Sequence, residues 1–116
     1  MQLLDVRIDE RATWTVVTLT GQLDVATAPG FRQSLQEAQY VGAQRVVVDL
    51  SGVEFLDSFG LGVLVGGLRR ARLHGGRLVL AAANDRIRAV LEVTSLDTAF
   101  ELAGDVEVVV AASDAG

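Results

Sequence analysis

Two short apolar runs, Val46-Val47-Val48-Asp49-Leu50 and Leu78-Val79-Leu80-Ala81-Ala82-Ala83, bracket a segment patterned as a helix, and this arrangement constrains the fold more than any other feature. Runs that are apolar at nearly every position suit strands covered on both faces, so Gln44–Leu50 and Arg77–Ala83 read as central strands. Between them Leu61, Leu64, Val65 and Leu68 follow the i, i+3, i+4, i+7 spacing of one buried helix face. Residues 51–57 read as a loop. The helix then runs from about 58 to 74, is opened by Asp57-Ser58, both good N-cap residues, and is stopped by Gly75-Gly76. Strand, helix, strand at this spacing implies a crossover and a parallel centre to the sheet.

The flanking elements follow from local chemistry. Residues 2–8 and 13–20 read as a hairpin, the second strand rich in β-branched and aromatic residues, with Asp9-Glu10-Arg11-Ala12 as the turn. Gly21-Gln22-Leu23-Asp24 closes that strand. Thr27 then caps a helix with Pro29 in its first turn, an inner face of Phe31, Leu35, Ala38 and Val41 or Gly42, and an end at Gly42. Asn84-Asp85 opens another helix through Ile87, Val90 and Leu91 to Val93 or Thr94. Residues 99–102 read as a short last strand, and 105–112 as a strand by valine content or a helix by placement. Residues 113–116 read as a frayed end. With no repeat and no linker, the 116 residues form one domain, its core at about 2–102 and the tail 103–116 unassigned.

A net charge of −5 argues against a nucleic-acid groove, and the absence of cysteine excludes disulfides and thiolate metal sites. No apolar run reaches the roughly 20 residues of a membrane span, and the start lacks the pattern of a secretory signal, so the expected location is cytoplasmic, without membrane insertion. Arg69, Arg70 and Arg72 read as partners of a helix C-terminus and solvated surface, and His74 as a surface residue in the turn with Gly75-Gly76. A Ser-His-Asp triad fails on length: at about 1.5 Å per residue, His74 lies roughly 24 Å from Ser58. Gly60, Gly62 and Gly66 have the wrong spacing for a dinucleotide fingerprint and follow too long a turn. Gly62 and Gly66, four residues apart, instead suggest close helix packing. No metal set and no cofactor site is expected.

What remains is a hydroxyl, Ser58, at the positive end of a helix, where a phosphate would be tolerated. Its surroundings, Val47-Val48-Asp49-Leu50-Ser51-Gly52-Val53-Glu54-Phe55-Leu56-Asp57-Ser58-Phe59-Gly60-Leu61-Gly62-Val63-Leu64, resemble the signature of the STAS domain, in particular that of bacterial anti-sigma factor antagonists. Leu19-Thr20-Gly21-Gln22-Leu23-Asp24, Gly76-Arg77-Leu78-Val79-Leu80 and Ile87-Arg88-Ala89-Val90-Leu91-Glu92-Val93-Thr94-Ser95-Leu96-Asp97 resemble further family elements in the same order. The resemblance implies an α/β fold, a mixed sheet with helices on one side. It also implies a non-enzymatic regulator that binds an anti-sigma factor, itself a serine kinase, and thereby releases a sigma factor. Phosphorylation would switch it off. On that resemblance Ser58 is the acceptor, Asp24, Asp57, Ser58, Phe59, Gly60 and Leu61 form the partner surface, a phosphatase restores Ser58, and the protein is a monomer or weak dimer. Phe59 departs from the small residue often found after the acceptor. The alternatives are a STAS scaffold in a signalling complex or membrane transport system and, with little weight, a nucleotide-binding enzyme.

Overall fold

The computed structural model describes residues 3–41 and 44–115. Strands β1 (Leu4–Arg11) and β2 (Trp14–Leu23) form an antiparallel hairpin in unbroken register from Leu4 opposite Gly21 to Arg11 opposite Trp14. The turn is Ala12-Thr13, so Asp9, Glu10 and Arg11 belong to β1 and not to the turn expected there. Ala12 reverses the chain at φ 56°, in the left-handed region. After α1 (Ala28–Val41) come β3 (Arg45–Leu56), α2 (Ser58–Leu73), β4 (Arg77–Ala81), α3 (Asp85–Val93), β5 (Glu101–Ala103) and α4 (Val106–Ala115). Gly42, expected to end α1, lies outside the described residues.

The sheet order is β1-β2-β3-β4-β5, with every pair after the hairpin parallel. Parallel crossovers share one hand, so a sheet that grows steadily in one direction receives its crossover helices on one face. Accordingly Val17, Leu19, Val46, Val48, Leu50, Leu78 and Leu80 turn toward Phe31 and Leu35 of α1, Leu64 of α2, and Ile87 and Leu91 of α3. The alternate residues Trp14, Val16, Val47, Val79 and Ala81 face the other way. The α/β class with a parallel centre stands as expected, and α1, α2 and α3 share a side. The exception is α4, the segment left open between strand and helix, which covers the opposite face with Val106, Val109 and Val110. The tail is therefore part of the core, and helix continues to Ala115 where a frayed end was expected.

Two further corrections concern the central unit. Residues 51–56 continue β3 and are not a loop: they pair with Thr20 to Leu23 of β2 through two register shifts, and Val53 and Leu56 are buried. These irregularities remove the simple period-2 alternation by which a strand is recognised. The fully buried line of α2 is Gly60, Val63, Leu64, Gly67 and Ala71, with Leu61, Val65 and Leu68 only partly buried beside it. Close packing falls on Gly67, where a Cβ would lie 2.6 Å from Leu35 Cδ2, and not on Gly62, which has nothing within 4 Å, or Gly66, which faces only the Arg70 side chain at 3.5 Å.

The ends of α2 follow ordinary capping chemistry. His74 is an exposed C-cap, Gly75 is left-handed at φ 69°, and Gly76 N–H donates to Ala71 C=O at 2.7 Å. Arg70 and Arg72 reach beyond their own helix end. Arg70 Nε donates to Gln39 Oε1 of α1 at 2.9 Å, and Arg72 to the Ala99 carbonyl at 3.0 Å. At this same end of the sheet the guanidinium groups of Arg45 and Arg77 each lie 5.0 Å from the ring centre of Trp14, and Arg77 forms a two-pronged bond to Glu101.

Candidate functional site

The sheet carries its β2–α1 and β3–α2 connections at the C-terminal ends of the strands, and Asp57, the single residue between β3 and α2, ties them together. Its Oδ1 accepts from the N–H groups of Phe59 at 2.9 Å and Gly60 at 3.0 Å, satisfying the first turn of α2. Its Oδ2 accepts from Val25 N–H at 3.1 Å, and its own N–H donates to the Leu23 carbonyl at 2.9 Å. One carboxylate thus caps a helix and holds the neighbouring loop. Asp57 is the cap, and Ser58, also considered for that role, is the first residue of the helix.

Asp24 sits in that neighbouring loop, as expected, but its carboxylate is spent locally. Oδ1 accepts from Ala26 N–H at 3.0 Å and Thr27 N–H at 3.1 Å. Thr27 uses its hydroxyl inside the loop too, donating to the Gln22 carbonyl at 2.8 Å and accepting from Asp24 N–H at 3.0 Å. Gly60 is buried: a Cβ there would lie 2.7 Å from Leu23 Cβ and 2.8 Å from the Leu23 carbonyl oxygen, so this residue lets α2 start against β2 and presents no side to a partner. Leu61 is half-buried against the core. Of the six residues proposed from the sequence, Ser58 and Phe59 are the exposed pair.

The sequence reading missed Val25 and Phe55, which are 59% and 41% exposed and belong to the chain segments that meet at Asp57; Phe59 itself is 57% exposed. Exposed large apolar side chains on adjoining segments are a feature of interaction surfaces. Val25 carried a faint signal, a valine in a loop of small and polar residues with no periodic partner. Phe55 carried none once its segment was taken for a loop.

The start of α2 cannot serve as a phosphate cradle of the dinucleotide kind. The turn is one residue long, shorter than expected, but none of the glycines lies in it, and the Asp57 carboxylate already occupies the amides that a pyrophosphate would need. Among the described residues no three His, Asp or Glu side chains gather into a metal-binding group, and no helix is long and apolar enough to cross a membrane.

The STAS domain family model matches residues 4–109. The chain belongs to the STAS domain family. This STAS domain is 32% identical over 100 residues to the anti-sigma-B factor antagonist of Listeria monocytogenes, a match spanning 85% of this chain and 88% of that protein. It is 34% identical over 80 residues to the anti-sigma-B factor antagonist of Staphylococcus aureus, spanning 69% of this chain and 74% of the other. Among solved structures, an anti-sigma factor antagonist from Mycobacterium paratuberculosis superposes with a TM-score of 0.82 at 27% identity, covering 95% of this STAS domain and 93% of that chain.

Proposed function

We propose that this STAS domain is an anti-sigma factor antagonist: a regulatory binding module that engages an anti-sigma factor of the serine-kinase type through the corner at the start of α2, and is released when that kinase phosphorylates Ser58. The observation that carries the reading is the exposed Ser58-Phe59 pair on a helix start held rigidly by Asp57. The names of the Listeria and Staphylococcus relatives support the same role.

The physics of the switch follows from the corner. A phosphate on Ser58 would sit at the positive end of α2, so the fold should accept it. It would add about −1.5 to −2 charges beside Asp57 and Asp24, whose carboxylates have no cationic partner in the hydrogen bonds they make. Burying that charge against a partner without a matching cation costs several kcal/mol, and each 1.4 kcal/mol is a tenfold loss of affinity. Phe59, with Val25 and Phe55, supplies the apolar part of the contact, and a phosphatase acting on phospho-Ser58 would restore it.

The test is to incubate the purified protein with candidate anti-sigma kinases and ATP, locate the phosphate by mass spectrometry, and titrate the kinase with wild type and Ser58→Asp by calorimetry. The expected result is a single phosphate absent from Ser58→Ala, with Ser58→Asp binding more than about tenfold weaker while keeping its circular dichroism. Phosphate persisting in Ser58→Ala, on Thr27 or Ser51 for example, would overturn the choice of residue. Capture of a transporter or of a STAS assembly in place of a kinase would favour the scaffold reading.

A further inference from the structure

β1 is an edge strand of eight residues that pairs β2 alone among the described strands, with no proline and no break in its register. Long, regular edges are normally blunted, as the opposite edge is: β5 has three residues. Charged side chains could serve that purpose on β1, but their order does something more specific. Asp5, Arg7, Asp9 and Arg11 alternate in sign along one face of the strand, and Leu4, Val6 and Ile8 occupy the other.

We infer that β1 is a self-pairing edge, and that a second copy of this chain adds to it as an antiparallel strand about a two-fold axis at Ile8. In an antiparallel ladder, directly opposed residues both turn their N–H and C=O groups toward each other or both away. A strand pairing with its own copy must therefore centre its axis on a residue. Centred on Ile8, Arg7 faces the partner's Asp9, and Arg11, already paired with Glu107 of its own chain at 2.7 Å, faces the partner's Asp5; symmetry repeats both. Centred one residue away, the same strand sets like against like: Asp5 against the partner's Asp9 about Arg7, or Arg7 against the partner's Arg11 about Asp9. Opposite charges directly across a ladder are favourable and like charges are not, so the alternation excludes centres on Arg7 and Asp9; of the centres it allows, Ile8 opposes residues 5–11, whereas Val6 opposes only 4–8 and Glu10 only 9–11.

On the other face this register sets Val6 opposite the partner's Glu10 and the two Ile8 side chains opposite each other. Ile8 is 43% exposed, beyond the reach of the core that takes up Leu4 and Val6, and the two-fold axis sets it against the partner's Ile8. Arg7 and Asp9 are open to a partner, their side chains 69% and 53% exposed and held to each other only by a 3.8 Å contact. A reversed order of charges that complements itself is a requirement of pairing with an identical strand, which is why the occupant is a second copy and not another protein. The product is one continuous ten-stranded sheet, two copies of a five-stranded one, with the two α2 corners at opposite ends and both free.

Sedimentation equilibrium over a concentration series into the millimolar range should show a monomer–dimer equilibrium weakened by salt. Arg7→Asp and Asp9→Arg should each weaken self-association about tenfold or more, since each places like charges at two symmetry-related pairs. Mixed, the two variants are complementary at those same pairs and should form a heterodimer at least as strong as the wild-type dimer. The chain has no cysteine, so Ile8→Cys gives an independent readout: it should form a disulfide dimer under mild oxidation faster than Glu10→Cys, whose two copies would not be opposed. A wild-type chain that stays monomeric, a mixture no more associated than its components, or equal cross-linking at the two positions would each overturn the proposal.

Discussion

A methyl group added at Gly60, Gly62 or Gly67 would meet three different environments, and the differences are measurable. At Gly62 it meets nothing within 4 Å, on an exposed helical position, so Gly62→Ala should stabilise the protein by about 1 kcal/mol, the ordinary helix penalty of glycine. At Gly60 it meets the Leu23 backbone carbonyl at 2.8 Å, which cannot move without shifting β2, so Gly60→Ala should cost about 1–3 kcal/mol. Gly67→Ala should fall between them, because its contacts, Leu35 Cδ2 at 2.6 Å and Leu78 Cδ2 at 3.2 Å, are side-chain ends that can give a little where the Leu23 backbone cannot. Urea unfolding followed by the single tryptophan, Trp14, gives all three values. Asp57 belongs to the same scale. Asp57→Ala removes a helix cap and the tie to Val25 together, so it should cost about 2 kcal/mol and weaken partner binding even with Ser58 intact.

At the scale of elements, α4 covers a sheet face that contains Trp14 and is tied to β1 by Arg11 and Glu107 at 2.7 Å. A chain ending at Asp105 should unfold at lower urea and show a red-shifted Trp14 emission. Arg11, through its hydrogen bond and then its charge, holds the Glu107 carboxyl below its ordinary 4.5. A lowered carboxylate pKa means that the ion pair's contribution is present above the ordinary range and lost as pH falls through the folded value. Wild type and Glu107→Gln should therefore differ slightly in stability at neutral pH and converge in acid, the difference kept small by solvent exposure. The helix α4 was not legible in the sequence because five of its residues, Val106 to Val110, read as strand by valine content; its actual signal is the i, i+3, i+4 spacing of Val106, Val109 and Val110 around the exposed Glu107 and Val108. The strands at Val46–Leu50 and Leu78–Ala81 and the cap pair Asn84-Asp85 were legible because continuous burial and capping leave local marks. The inner line of α2 was misplaced because Gly60 and Gly67 contribute to packing by absence, which a hydrophobic pattern cannot register. At the corner proposed for docking, the helix start at Asp57-Ser58 could be read from the capping chemistry. The loop clamp to Val25 is a contact between residues far apart in sequence, and only the fold supplies it.

For the whole molecule, spatial strand order repeats chain order from β1 to β5. No strand has to be inserted between two that are already paired, and each new strand needs only the closure of one crossover onto the current edge, a cost that grows slowly with loop length. Folding can then advance in the direction of synthesis, with the β1–β2 hairpin as the first template and β3 as the first parallel addition. In refolding experiments, substitutions such as Val17→Ala and Val48→Ala should slow folding, whereas Val79→Ala and Val109→Ala should mainly speed unfolding. The corner that carries Ser58 is completed as soon as β3 reaches β2 and α2 begins, before β4, β5 or α4 are required. A nascent chain would thus possess the corner proposed for docking while its far edge was still being made.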